Sequence, residues 1–133
     1  MPMMLPGDFF DLQQHAHQQL FQTDEPVWTA LDRLPAYLAS FFEGAWPLSG
    51  QTGMVEKPLV ILNGTVRKDL AIRSSEATGT VQAFEGNTLL ENATIIMPGA
   101  FLFDDRIIIG ARTVVEPGAL IKGPTVLGAD TEV

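Results

Sequence analysis

Toward the end of the chain a branched aliphatic residue recurs every six positions, at Ile109, Val115, Ile121, Leu127 and Val133. This period is neither helical nor simply alternating. Two residues before four of these stand Thr113, Ala119, Thr125 and Thr131, and in a strand residues i and i+2 share a face. Both columns are therefore expected to point inward. The positions after each aliphatic carry Gly110, Pro117, Gly118, Gly123, Pro124 and Gly128, the turn chemistry a chain needs to change direction every few residues. Each six-residue unit reads as a short strand plus a corner, the signature of a parallel β-helix. Extended backwards, the same template takes Phe84, Leu90, Ile96 and Leu102 in the aliphatic column and Thr88, Thr94 and Ala100 in the small one. One extra residue separates Leu102 from Ile109, and it is expected to bulge a corner within Asp104, Asp105 and Arg106.

The first 44 residues follow a different rhythm. Leu12, Ala16 and Leu20 stand at helical spacing behind Asp8, whose carboxylate suits the cap of a first turn. A second helix is predicted to start near Asp24, Glu25 and Pro26 and to carry Val27, Trp28, Leu31, Leu34, Leu38, Phe41 and Phe42 on its apolar side. Pro35 should kink it or start a new one, and Gly44 should end it. Residues 45–58, with Pro47, Gly50, Gly53 and Pro58, read as a linker, and 59–83 as irregular strands at the solenoid's entrance around an Asn63–Gly64 turn. The repeat region is then 84–133. An apolar helical segment is one way to cap a solenoid end.

The units IGARTV, VEPGAL, IKGPTV and LGADTE resemble the hexapeptide repeat, in which an aliphatic is followed by a small or acidic residue and, after two variable positions, by Ser, Thr, Ala or Val. Lys122 departs from that pattern at the second position. The repeat marks the left-handed β-helix transferases, and the stretch VEPGALIKGPTVLG is similar to the solenoid of bacterial N-acetylglucosamine-1-phosphate uridyltransferases and related sugar nucleotidyltransferases. The expected fold is thus mainly β, a left-handed parallel β-helix preceded by an N-terminal α-helical segment. The resemblance implies transfer of an acetyl or acyl group from acetyl-coenzyme A or another acyl thioester to an amino sugar or sugar phosphate. It also implies a homotrimer whose solenoids pack side by side. A non-catalytic trimerising or regulatory module of a sugar-nucleotide enzyme is the alternative.

Composition narrows these options. The chain has 133 residues, no cysteine and a net charge of −8, so a disulfide framework, cysteine-ligated metal, nucleic acid and anionic membrane are not expected. The opening MPMMLPGDFF lacks a basic leader, and a cytoplasmic protein with a small-molecule sugar substrate is expected. The only histidines, His15 and His17, are two apart and cannot share a helical face, so both are expected to be ordinary surface residues. The transferases that this repeat resembles use a solenoid histidine as general base; here no histidine follows residue 17, and no catalytic, cofactor-binding or metal-ligating residue is assigned. Asp104 and Asp105 suit a solvated corner better than a cation site, and Arg106, Arg112 and Lys122 suit solubility better than a phosphorylated ligand. Because Val133 falls in the inward column, the chain is expected to be truncated, with catalytic turns beyond residue 133. Val114, Leu120 and Val126 precede the inward column and should face outward, marking contact surfaces.

Overall fold

The computed structural model describes residues 3–14 and 16–133. The chain divides into two compact units, Met1–Glu43 and Gly44–Val133.

In the first unit, 3-10 turns at Pro6–Asp8, Gln18–Leu20 and Val27–Thr29 precede α1 (Ala30–Ser40), the one α-helix among the described residues. Helix α1 is continuous across Pro35, and Gly44 takes φ +92° after the turn that follows it. Among the described residues, the helix expected behind Asp8 does not form. Its carboxylate accepts the Leu5 amide at 3.0 Å, closing the turn backwards, and Leu12 and Leu20 are only half-buried. A short helix without a packed face has too little to offset its nucleation cost. Arg33 ties the segments together, donating from Nε to the Leu20 carbonyl at 3.0 Å and pairing with Glu25 at 2.8 Å.

The second unit is mainly β. Its strands are β1 (Gly53–Met54), β2 (Leu59–Leu62), β3 (Thr65–Arg67), β4 (Ala71–Ser75), β5 (Thr80–Glu85), β6 (Thr88–Leu89), β7 (Thr94–Ile96), β8 (Phe101–Leu102), β9 (Ile107–Ile109), β10 (Val114–Val115), β11 (Leu120–Ile121) and β12 (Thr125–Leu127). From β7 onward every strand pairs in parallel with the strand three places along the chain: β7 with β10, β8 with β11, β9 with β12. The register fixes the step. Val114 lies 19 residues after its partner Ile95, Leu120 19 after Phe101, Val126 18 after Ile108, and Glu132 18 after Val114. The two longer steps share residues 103–106 and the shorter ones avoid them, so the extra residue sits in the Asp104–Arg106 corner where the spacing places it.

The inward columns are the core. Ile96, Ala100, Leu102, Ile107, Ile109, Val115 and Ile121 are all buried in one cluster. Leu127 is half-buried against them, and Val133 is 39% exposed. The small column carries a hydrogen-bonded ladder: the Thr94 hydroxyl donates to the Gly110 carbonyl at 2.5 Å and accepts the Thr113 amide at 3.2 Å. One step along, the Thr113 hydroxyl donates to the Gly128 carbonyl at 3.1 Å and accepts the Thr131 amide at 3.2 Å. Threonine recurs there because a methyl-sized volume is needed and a buried hydroxyl is satisfied only by this reciprocal pattern.

Two expectations fail in this unit. The six-residue register does not reach back to Phe84, Thr88 or Leu90, because β4, β5 and β6 form an antiparallel meander instead. Glu85 pairs with Thr88 across Gly86 and Asn87, and Gly86 at φ +62° makes the tight reversal that a two-residue hairpin requires. Residues 45–58 are likewise no free linker. Leu48 and Val55 are buried in the main core, Trp46 Nε1 donates to the Asp105 carbonyl at 2.7 Å, and the Gly50 amide donates to Asp105 Oδ2 at 2.7 Å. With β1 of this segment antiparallel to β8, and β2, which follows it, antiparallel to β7, the chain ahead of the stack closes the free edges of its first two strands. The β2–β3 hairpin turns at Asn63 (φ +51°) and Gly64 (φ +78°), as the Asn–Gly pair predicts.

Candidate functional site

The outward side chains of the stacked strands differ from face to face. On the β7–β10 face Ile95 is buried and Met97 and Val114 are half-buried; Ile95 and Met97 belong to a second cluster with Val60, Val81, Ala83 and Leu90. The meander covers that face. On the β9–β12 face Ile108 and Val126 are half-buried. The β8–β11 face is open. Met54 and Leu120 both pair in register with Phe101, so the three side chains form one row across β1, β8 and β11, at 57%, 38% and 55% exposure. Phe103 extends the row at 62% exposure, with Lys122 Nζ 5.5 Å above its ring. Four large apolar side chains on one sheet face are a contiguous patch of the kind that marks an interaction site. Of the three aliphatics singled out as outward-facing, only Leu120 lies in it. Phe101 and Phe103 were missed, although their alternation around the buried Leu102 is a period-2 signal.

The charged candidates occupy corners. Arg112 and Asp130, both in the left-handed region at φ +58° and +57°, stack 18 residues apart in a bidentate pair of 2.6 and 2.9 Å, and Arg112 Nη1 reaches Asn92 Oδ1 at 3.3 Å. The guanidinium holds the Asp130 carboxyl below the usual carboxylate range, and Asp130 raises Arg112 in return. Asp104 Oδ1 accepts the Arg106 amide at 2.8 Å, and Asp105 receives Gly50 as described. These two carboxylates fasten a corner. Among the described residues, no group of three or more acidic or histidine side chains is placed to hold a metal ion. His15 lies outside the described residues. His17 is not a plain surface residue: it is half-buried, Nδ1 lies 2.8 Å from the Tyr37 hydroxyl, and its ring meets Tyr37 and Phe41 edge-on.

One carboxylate pair is electrostatically unfavourable. A hydrogen bond between the Glu116 and Glu132 side chains, followed by their mutual repulsion, holds Glu116 above its ordinary value. A group raised in the folded state contributes stability that is present at low pH and fades as pH rises through the folded value. Glu132→Gln is expected to raise the urea midpoint modestly at pH 7 and to leave it unchanged at pH 3.5. An equal effect at both pH values would show that the two carboxylates do not interact.

No helix among the described residues is long and apolar enough to cross a membrane. Compared with protein-family models, curated proteins and solved structures, the chain matches none.

Proposed function

We propose that residues 94–133 form a left-handed β-helix of the hexapeptide-repeat kind, and that the chain is a non-catalytic module which assembles as a homotrimer within a sugar-nucleotide enzyme system. The observation that carries this reading is the in-register row Met54, Phe101 and Leu120 on the one stacked face that the meander and the half-buried aliphatics leave open. A closed cyclic arrangement lets each copy bury this face against its neighbour without leaving a sticky end. The count of three comes from the hexapeptide-repeat resemblance.

Light scattering is expected to give a mass three times the 14.5 kDa of one chain. Phe101→Asp with Leu120→Asp is expected to give a folded monomer, with unchanged far-ultraviolet circular dichroism. A wild-type monomer at tens of micromolar, or an unchanged mass for the double variant, would overturn the assembly.

Acyl transfer from acetyl-coenzyme A to an amino sugar or sugar phosphate is the second reading, favoured by the repeat units IGARTV and VEPGAL. It predicts thiol release from acetyl-coenzyme A that depends on the acceptor. The aromatic-flanked open face supports assembly more directly than it supports chemistry.

A further inference from the structure

The chain has twice as many acidic as basic residues, 16 against 8, so a cation without a carboxylate partner is out of keeping with its surroundings. Arg33, Arg67, Arg106 and Arg112 are in ion pairs, Arg73 lies 4.6 Å over the Phe84 ring, and Lys122 lies over Phe103. The two cations left over, Lys57 and Lys68, make no ion pair among the described residues. Both line the same cleft of about 240 Å³.

That cleft is built from two separate pieces of chain. The segment from Gln51 to Lys57 supplies one wall, and Lys68, just past β3, supplies the other. The lining also offers the Thr52 hydroxyl and the Gln51 amide as donors, and Val55, Leu59 and Leu102, all buried, are its apolar part. Glu56 is the single carboxylate in the lining, so the lysines outnumber it. The antiparallel pairing of Gly53 and Met54 with Leu102 and Phe101 fixes one wall, and the β2–β3 hairpin fixes the other.

We propose that Lys57 and Lys68 form a binding site for a phosphate group, carried by a small organic phosphate whose body rests on the apolar part of the lining, Val55, Leu59 and Leu102. Two lysines on one cleft can neutralise a dianion that one lysine would hold only weakly, and the hydroxyl and amide donors of the lining can complete its coordination. A pocket with a few polar groups and an apolar part suits a small ligand better than a macromolecule. The cleft shares Met54 with the open β8–β11 row, so the titration is run on the Phe101→Asp/Leu120→Asp variant as well, where failure of assembly and failure of phosphate binding are told apart.

The test is titration of the full chain with inorganic phosphate and, separately, with a hexose 1-phosphate, at constant ionic strength, read by calorimetry and by amide chemical shifts. Saturable binding of the hexose phosphate is expected, with shifts at Thr52, Glu56 and Lys57, and at least tenfold weakening in K57Q/K68Q but none in R73Q. Equal affinity for the two probes would support the phosphate site and assign it to the free ion. Binding unchanged in K57Q/K68Q, or no saturation by either probe at 20 mM, would overturn the proposal.

Discussion

Replacing Ile121 by Asp is expected to cost about 4 kcal/mol of unfolding free energy, a large part of the total for a domain of this size. Ile121 is 5% exposed and pairs in register with Leu102, itself 1% exposed, inside the main cluster. A carboxylate there enters a cluster of aliphatic side chains against which Trp46 packs, so it must either be buried unpaired or push the β8–β11 layer apart. Its chain neighbour Leu120 points the opposite way at 55% exposure. Leu120→Asp should therefore change the intrinsic stability by less than about 0.5 kcal/mol, measured dilute enough to keep association out of the result. Where Ile121→Asp does not fold, Ile121→Val should still lower the urea midpoint by the equivalent of about 1 kcal/mol. Equal midpoints for Ile121→Asp and Leu120→Asp would mean that the inward and outward columns have been exchanged.

The inward column was legible because it is set by local geometry: a strand of two or three residues plus a corner repeats itself, and the repeat shows in Ile96, Leu102, Ile109, Val115 and Ile121 without knowledge of any distant contact. The same template overreached at Phe84, Thr88 and Leu90. There the aliphatic spacing is coincidental and the Gly86–Asn87 reversal decides the pairing. What covers the first strands was not legible at all. Leu48 and Val55 lie in a segment rich in proline and glycine with no period, and only the antiparallel pairing of β1 with β8 and β2 with β7 reveals that it is part of the core. Helix α1 lies within the stretch expected to be helical, but it begins at Ala30, runs through Pro35 and leaves Trp28 and Leu31 exposed, and the helix expected behind Asp8 failed because spacing says nothing about whether a face has something to pack against. The candidate site divides in the same way. Leu120 follows from its place beside Ile121, but Lys57 and Lys68 come together only through the β2–β3 hairpin, and their separation in the chain carries no signal.

Gly110 and Gly128 occupy equivalent corners one step apart, each directly after register partners Ile109 and Leu127, and yet Ala is expected to have opposite effects at the two. Neither glycine needs a left-handed backbone. The conformational reason that sequence alone suggests for them therefore does not apply, and packing decides. A Cβ on Gly110 would meet the Ala129 amide nitrogen at less than contact distance, with the Gly128 carbonyl carbon at 2.7 Å and Ala129 Cα at 2.8 Å. These are backbone atoms that cannot rotate aside. Relief requires the corners to separate, which breaks the Gly110 amide bond to the Leu127 carbonyl at 2.9 Å and the Asp130 amide bond to the Ala111 carbonyl at 2.9 Å. It also strains the Thr113 hydroxyl bond to Gly128. Gly110→Ala should cost about 3 kcal/mol, within the range for overpacking plus disrupted hydrogen bonds. A Cβ on Gly128 meets nothing within 4 Å. Gly128→Ala should then be neutral or stabilise by up to about 1 kcal/mol, because it removes backbone freedom from the unfolded chain. Thermal or urea unfolding of the two variants side by side tests the stacking directly: similar losses at both positions would mean that turn conformation governs these corners, and no loss at Gly110 would mean that the corners do not lie against each other.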